Sequence, residues 1–177
     1  MIRAAFLKGM NLGNRRITND ELKAEFQRIG LGPARTFRAA GNVVFEDRDA
    51  SEEELIERIE AGLGEALGYA VPTVLRSAAE LEVIVGTEPF SEDEVERSRG
   101  KLQVMLLASR PAAAARREVL AMAGDDDLLA LGERELFWLP SGGVSDSELD
   151  LRAIGGILGL GTVRTMGTLG QLAAKHL

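Results

Sequence analysis

The sequence predicts an α+β fold built from two tandem ferredoxin-like (βαββαβ) units, with antiparallel sheets and helices on one face. Three observations predict it. Apolar stretches of strand length alternate with helical stripes of period 3.6. Ser/Thr-x-x-Glu/Gln capping boxes mark the helix starts. The element order β-α-β-β-α-β-α of residues 1–89 repeats over residues 101–177. Residue identity between the halves is slight, so the doubling rests on element order, and one mixed α+β domain without internal symmetry is the alternative.

In chain order, residues 2–7 ("IRAAFL") form the first strand. Thr18, in "TNDE", opens a helix over 18–30 whose stripe is Leu22, Phe26 and Ile29. "RTFRA" and "NVVFE" flank an Ala-Gly-Asn turn as a hairpin over 35–46. Ser51, in "SEEE", opens a helix over 51–67 with the stripe Leu55, Ile59, Leu63 and Leu67. "VPTVLR" (71–76) is a strand with Pro72 near its start, where a missing donor is tolerated, and Ser77, in "SAAE", opens the next helix. Residues 90–100 read as an acidic linker, because the "SEDE" box at Ser91 has no stripe behind it; one helical turn is expected there.

The second half begins with a strand over 101–107 ("KLQVMLL"), followed by a helix over 111–123 and a hairpin over 127–139. Phe137 and Trp138 lie in that hairpin, with at least one expected to face the core. Ser145, in "SDSE", opens a helix over 146–158 with Leu151, Ile154 and Leu158; a weak strand covers 162–164. Thr168, in "TLGQ", opens the last helix, with Leu169, Leu172 and Ala173.

Composition narrows the function classes. The 177 residues include no cysteine, which excludes disulfides, thiolate metal sites and thiol nucleophiles. The single histidine, His176, sits at the penultimate position, where chains fray, so a Ser-His-Asp triad or histidine metal site is not expected. No cofactor or metal is called for. No apolar run approaches bilayer length, and "MIRAAFLKG" is too short and too charged for a secretory signal, so a cytoplasmic protein is expected. The net charge of −7 argues against nucleic acid and anionic membranes as partners. Charge is unevenly spread. Residues 1–38 hold eight Lys or Arg against three Asp or Glu, residues 39–100 five against sixteen, and the remainder eight against nine.

Four stretches carry a resemblance: "FLKGMNLGNRR", "RTFRAAGNVVF", the Ser-x-x-Leu helix start and "TVRTMGTLGQLA". Together they resemble the bacterial domain-of-unknown-function family numbered 1697, across nearly the whole chain. Family motifs match at Gly9, Asn11, Gly13, Gly41, Asn42, Ser145, Arg164 and Thr168. Asn14 departs from a second glycine, Ala40 from a serine, and Thr165-Met166 from an Asn-Trp pair. A family function that needs that serine hydroxyl or tryptophan face would be weakened in this chain. The resemblance implies a fold and no activity.

The candidate chemistry lies in "KGMNLGNRRIT". Glycines after a strand let backbone N–H groups approach an anion, with the positive end of the next helix behind them. They serve equally where a tight turn needs positive φ. The stretch lacks the Lys-Ser/Thr of a P-loop and the G-x-G-x-x-G of dinucleotide folds. Arg15 and Arg16 add planar donors suited to phosphate or carboxylate. Asn11 either contributes to the site or braces the loop. A second hint is Arg164 ahead of the Thr168 cap, where a cation, hydroxyls and helix N–H groups converge; a plainly capped terminal helix is the alternative. If the units share a face, both places bind one ligand. The anion-site candidates are therefore Gly9, Asn11, Gly13, Arg15, Arg16, Asn42, Arg164 and Thr168.

Other stretches read as structure. Gly159 and Gly161 in "GGILGLG" read as a C-cap and a turn, and "GDDD" (124–127) as a polar turn rather than a hard-cation site. The leading function is a binding protein for a phosphorylated or anionic small molecule. An enzyme on a phosphoryl or nucleotide substrate would draw on Asp, Glu, Lys8 or Tyr69, which form no constellation. RNA binding on an open sheet has one Phe where two or three aromatics are needed. Self-association, a homo-oligomer through uncovered sheet faces, needs no ligand.

Overall fold

The computed structural model describes residues 1–38, 41–98 and 101–176. Ala40, one of the departures from the family pattern, lies outside the described residues. The chain is α+β, with two four-stranded antiparallel sheets. It divides into two compact units, one of Met1–Glu82 joined by the chain end from Leu172, and a second of Val83–Gln171. These bounds differ from the expected 1–89 and 101–177. The final helix begins among second-unit residues and ends among first-unit ones.

The first unit runs β1 (Ile2–Leu7), α1 (Asn19–Arg28), β2 (Arg35–Thr36), β3 (Asn42–Glu46), α2 (Glu52–Leu67) and β4 (Thr73–Ser77). Its strand order is β2-β3-β1-β4. Register places Ala5 opposite both Val43 and Leu75. Those three, with Leu7 and Phe45, pack with Leu22 and Phe26 of α1 and Leu55, Ile59 and Leu63 of α2 in one cluster. The helical stripes read from the sequence are therefore what α1 and α2 bury.

The second unit holds α4 (Glu92–Arg97), β5 (Gln103–Leu107), α5 (Ala113–Leu120), β6 (Asp127–Leu131), β7 (Glu135–Pro140), α6 (Leu151–Leu158) and β8 (Gly161–Thr165). Its strand order is β6-β7-β5-β8. Met105, Leu107 and Leu136 pack with Val119, Ile154 and Leu158. Helices α3 (Ala78–Val85) and α7 (Met166–His176) complete the chain.

The opposite side of each sheet is also out of water. Ala4, Phe6, Val44 and Val74 alternate with the cluster residues of the first sheet and are buried, as are Val104, Leu106, Phe137 and Leu139 in the second.

Four of the expected capping boxes form. Thr18, Ser51 and Ser91 each accept from the N–H three residues on and receive the glutamate in return. Ser77 does the same with Glu80. Ser91 thus opens a six-residue helix inside the expected linker. The Ser145 box does not form. Ser147 donates to Asp127 at 2.8 Å and its oxygen accepts from the Leu149 N–H, which ties this segment to the hairpin. Only a 3₁₀ turn, Val144–Asp146, results; α6 starts later, capped by Asp150 accepting from the Ala153 N–H. The expected helix over 111–123 is shorter at both ends, and Ala112 offers its first turn no side-chain cap.

Candidate functional site

The loop after β1 is shaped by hand alternation. Gly9 (φ +74°), Asn11 (+56°) and Gly13 (+57°) are left-handed, while the intervening Met10 and Leu12 are not. Successive residues of opposite hand turn their N–H groups to one side, the backbone form of an anion-binding nest. Among the described residues, the amides of Met10, Gly13 and Asn14 have no hydrogen-bond acceptor.

Fixed bonds hold the loop on both sides. Lys8 N–H donates to the Pro72 carbonyl at 2.9 Å, and Leu7 N–H to that of Gly41 at 2.8 Å. Asn11 Oδ1 accepts from Ile17 N–H at 3.0 Å, so its left-handed backbone and its side chain brace the loop together. Arg16 Nη1 donates to the carbonyls of Asn11 (2.9 Å) and Arg15 (3.1 Å). Arg16 is thus a brace more than a donor awaiting ligand.

Arg15 is placed differently. Its guanidinium lies 4.2 Å from the centre of the Tyr69 ring, a cation–π contact that leaves the side chain exposed. A Cβ built on Gly9 would sit 3.6 Å from Arg15 Nη1, which brings the cation beside the first left-handed residue. The sequence reading missed Tyr69 in this role, since only tertiary structure brings the residue after the α2 C-cap against the loop.

The N-terminus of α1 does not take part as expected. Thr18 Oγ1 accepts from Glu21 N–H, and Glu21 returns to the Thr18 N–H at 2.7 Å. Bonds from the Thr18 backbone and hydroxyl hold the Glu21 carboxyl below the usual glutamate range. A carboxylate therefore occupies the positive end that an anion would need.

The remaining candidates serve the scaffold. Asn42 is fully buried and donates from Nδ2 to the Phe37 carbonyl at 3.0 Å, closing the β2–β3 hairpin. Arg164 lies on the buried side of its sheet, opposite Val104, and bonds to Thr162 Oγ1 and the Val163 carbonyl, each at 2.8 Å. Burial pushes its pKa down to about 10, still charged at neutral pH. Thr168 is not the cap of α7. Thr165 takes that place, accepting from Thr168 N–H at 3.1 Å with the two hydroxyls 2.8 Å apart. Arg164 is thus engaged by its own strand and Thr168 by Thr165.

The acidic turn and the lone histidine both make contacts within the fold. At "GDDD", Gly124 and Asp127 exchange backbone bonds that close the turn, and Asp127 accepts from Trp138 Nε1 at 2.6 Å. Among the described residues, no group of three or more His, Asp or Glu is placed to hold a metal. His176 ends α7 with its ring edge-on to Phe37 at 5.9 Å. Burial, with Lys175 and Arg35 nearby, holds its imidazole below the usual range. No helix among the described residues is long and apolar enough to cross a membrane.

Comparison with known proteins adds three findings. A family model described as "Protein of unknown function (DUF1697)" matches residues 1–137. The solved structure of conserved bacterial protein SP0830 from Streptococcus pneumoniae aligns over 98% of each chain with a TM-score of 0.71 and 17% identity, a likeness of fold alone. No curated protein matches this chain.

Proposed function

Since the chain belongs to the family of unknown function DUF1697, whose description carries no activity, we propose its function from its own loop geometry: it binds a phosphorylated or otherwise anionic small molecule at residues 9–15. One observation carries the reading. Alternating hand at Gly9, Asn11 and Gly13 leaves amide donors without acceptors beside a guanidinium placed 4.2 Å over the Tyr69 ring. Donors fixed before the ligand arrives lose little freedom on binding, which favours a compact anion such as phosphate. Arg15 supplies charge, the amides supply shape, and Asn11 and Arg16 keep the loop from relaxing.

The scaffold belongs to the same reading. Each half is taken as a ferredoxin-like unit, supported by the β-α-β-β-α-β order in each and by the matching strand orders. A cysteine-free chain without a membrane-crossing helix among its described residues fits a cytoplasmic setting.

Titration with inorganic phosphate, followed through backbone amide NMR, tests the site. The expected shifts centre on residues 10–14, and Arg15→Ala weakens binding by about tenfold, the scale of one charge-assisted pair. Arg117→Ala, at an exposed arginine of α5, leaves it unchanged. Shifts scattered over all basic residues, or an Arg15→Ala variant that binds phosphate as tightly as the parent, would overturn the proposal.

A further inference from the structure

A second concave surface lies within the unit of residues 83–171 and owes nothing to the β1 loop. It is a groove of about 900 Å³, at the upper end of ordinary ligand sites. Val85, Phe90, Val95, Leu102 and Met166 give it an apolar floor, drawn from the end of α3, the segment leading into α4, α4 itself, the approach to β5 and the start of α7. Val95 stands 49% exposed, unusual for a branched apolar side chain on a six-residue helix.

Three exposed carboxylates rim this floor: Glu88, Glu92 and Glu96. Glu92 and Glu96 are one helical turn apart on α4 with Val95 between them in height, so charge and apolar surface share a face. No lysine or arginine lies among the described lining residues. The surrounding stretch is acidic as well, residues 39–100 holding sixteen Asp or Glu against five Lys or Arg.

This pairing restricts the occupant. A neutral apolar ligand would cover the floor and strip water from three carboxylates without replacing it. A small anion would be repelled, and a small hydrophilic cation would leave the floor wet. A chain segment with apolar side chains on one face and Lys or Arg beside them satisfies both, in the manner of an amphipathic helix lying in a groove. Opposite charge at the rim sets orientation and encounter rate, and the apolar anchors supply the affinity. We infer that the groove floored by Phe90, Val95 and Met166 is a docking surface for a basic amphipathic peptide segment of a partner protein.

Fluorescence anisotropy with a labelled peptide of lysine and leucine in helical amphipathic spacing tests this on the full chain. Saturable binding is expected, weakened by about tenfold in Glu92→Lys/Glu96→Lys. Glu53→Lys/Glu57→Lys, at exposed positions of α2, changes the net charge equally and leaves the affinity within about twofold. Val95→Ser, at a position already half in water, weakens binding without unfolding the chain, as circular dichroism would verify. Three results would overturn the inference: equal binding of a glutamate–leucine peptide, equal loss in both charge-reversed variants, or no binding of the lysine–leucine peptide. Sedimentation at rising protein concentration supplies a fourth arm, since a dimer abolished by Glu92→Lys/Glu96→Lys assigns the groove to a second copy instead.

Discussion

At the scale of single residues, the left-handed positions carry most of the information. Gly41 (φ +70°) shows why. A Cβ built there meets Met10 Cγ at 2.7 Å and Leu7 Cβ at 3.0 Å, so Gly41 packs directly against Leu7 of β1 and Met10 of the candidate anion loop. Gly41→Ala combines backbone strain with overpacking and is expected to cost about 2 kcal/mol or more. Urea denaturation checks it as a lower midpoint with an unchanged slope. These glycines and Asn11 were legible because few other residues tolerate positive φ. What was not legible is which neighbour each side chain meets. Arg15 and Arg16 look alike in sequence, yet one stacks on Tyr69 and the other spends a guanidinium nitrogen on backbone carbonyls. Asn42 likewise matches a family motif, and its amide closes a hairpin.

At the scale of elements, capping chemistry was the most readable signal because it is local. A hydroxyl and a glutamate three residues apart need no tertiary contact to find each other. The same logic failed where tertiary bonds competed, as at Ser145, whose neighbour Ser147 is held by Asp127. It slipped by one turn at Thr168, where Thr165 supplies the earlier hydroxyl. Bonds from the Ser51 backbone and hydroxyl hold the Glu54 carboxyl below its usual range, as the equivalent groups do for Glu21 and Glu94. A carboxyl depressed in the folded state leaves the unfolded chain binding protons first. The stability these boxes add is whole above the ordinary glutamate value of about 4.3 and is lost as pH falls through the lower folded values. Ser51→Ala is expected to cost about 1 kcal/mol at pH 7. That penalty should shrink in acid, which thermal melts of both proteins across the acidic range would measure. The edge of the second sheet is also managed locally. Gly124 takes up the backbone of Asp127 at one end of β6, and Arg116 donates to the Leu131 carbonyl at the other. Capping both ends in this way shortens the strand template left for a stray chain.

For the molecule as a whole, the repeat of element order was visible in the sequence, since strand and helix periods differ enough to be told apart. The division of the chain was not. Periodicity marks elements and carries no record of which unit an element joins. The buried Leu172 of α7 groups with residues 1–82, although it directly follows second-unit residues. Truncation after Gln171 is therefore expected to destabilise the N-terminal unit rather than trim a frayed end. Hydrogen exchange would register the loss in β1 and β3, and protection there equal to that of the full chain would contradict the assignment. The returning tail has a bearing on biosynthesis. Domains ordinarily fold one after another as they leave the ribosome. Here residues 1–82 wait, incomplete, until translation has passed Gln171 and the end of α7 has cleared the exit tunnel. Residues 1–82 are thus completed only after residues 83–171 have been made, and a nascent chain arrested before that point exposes the surface Leu172 would cover.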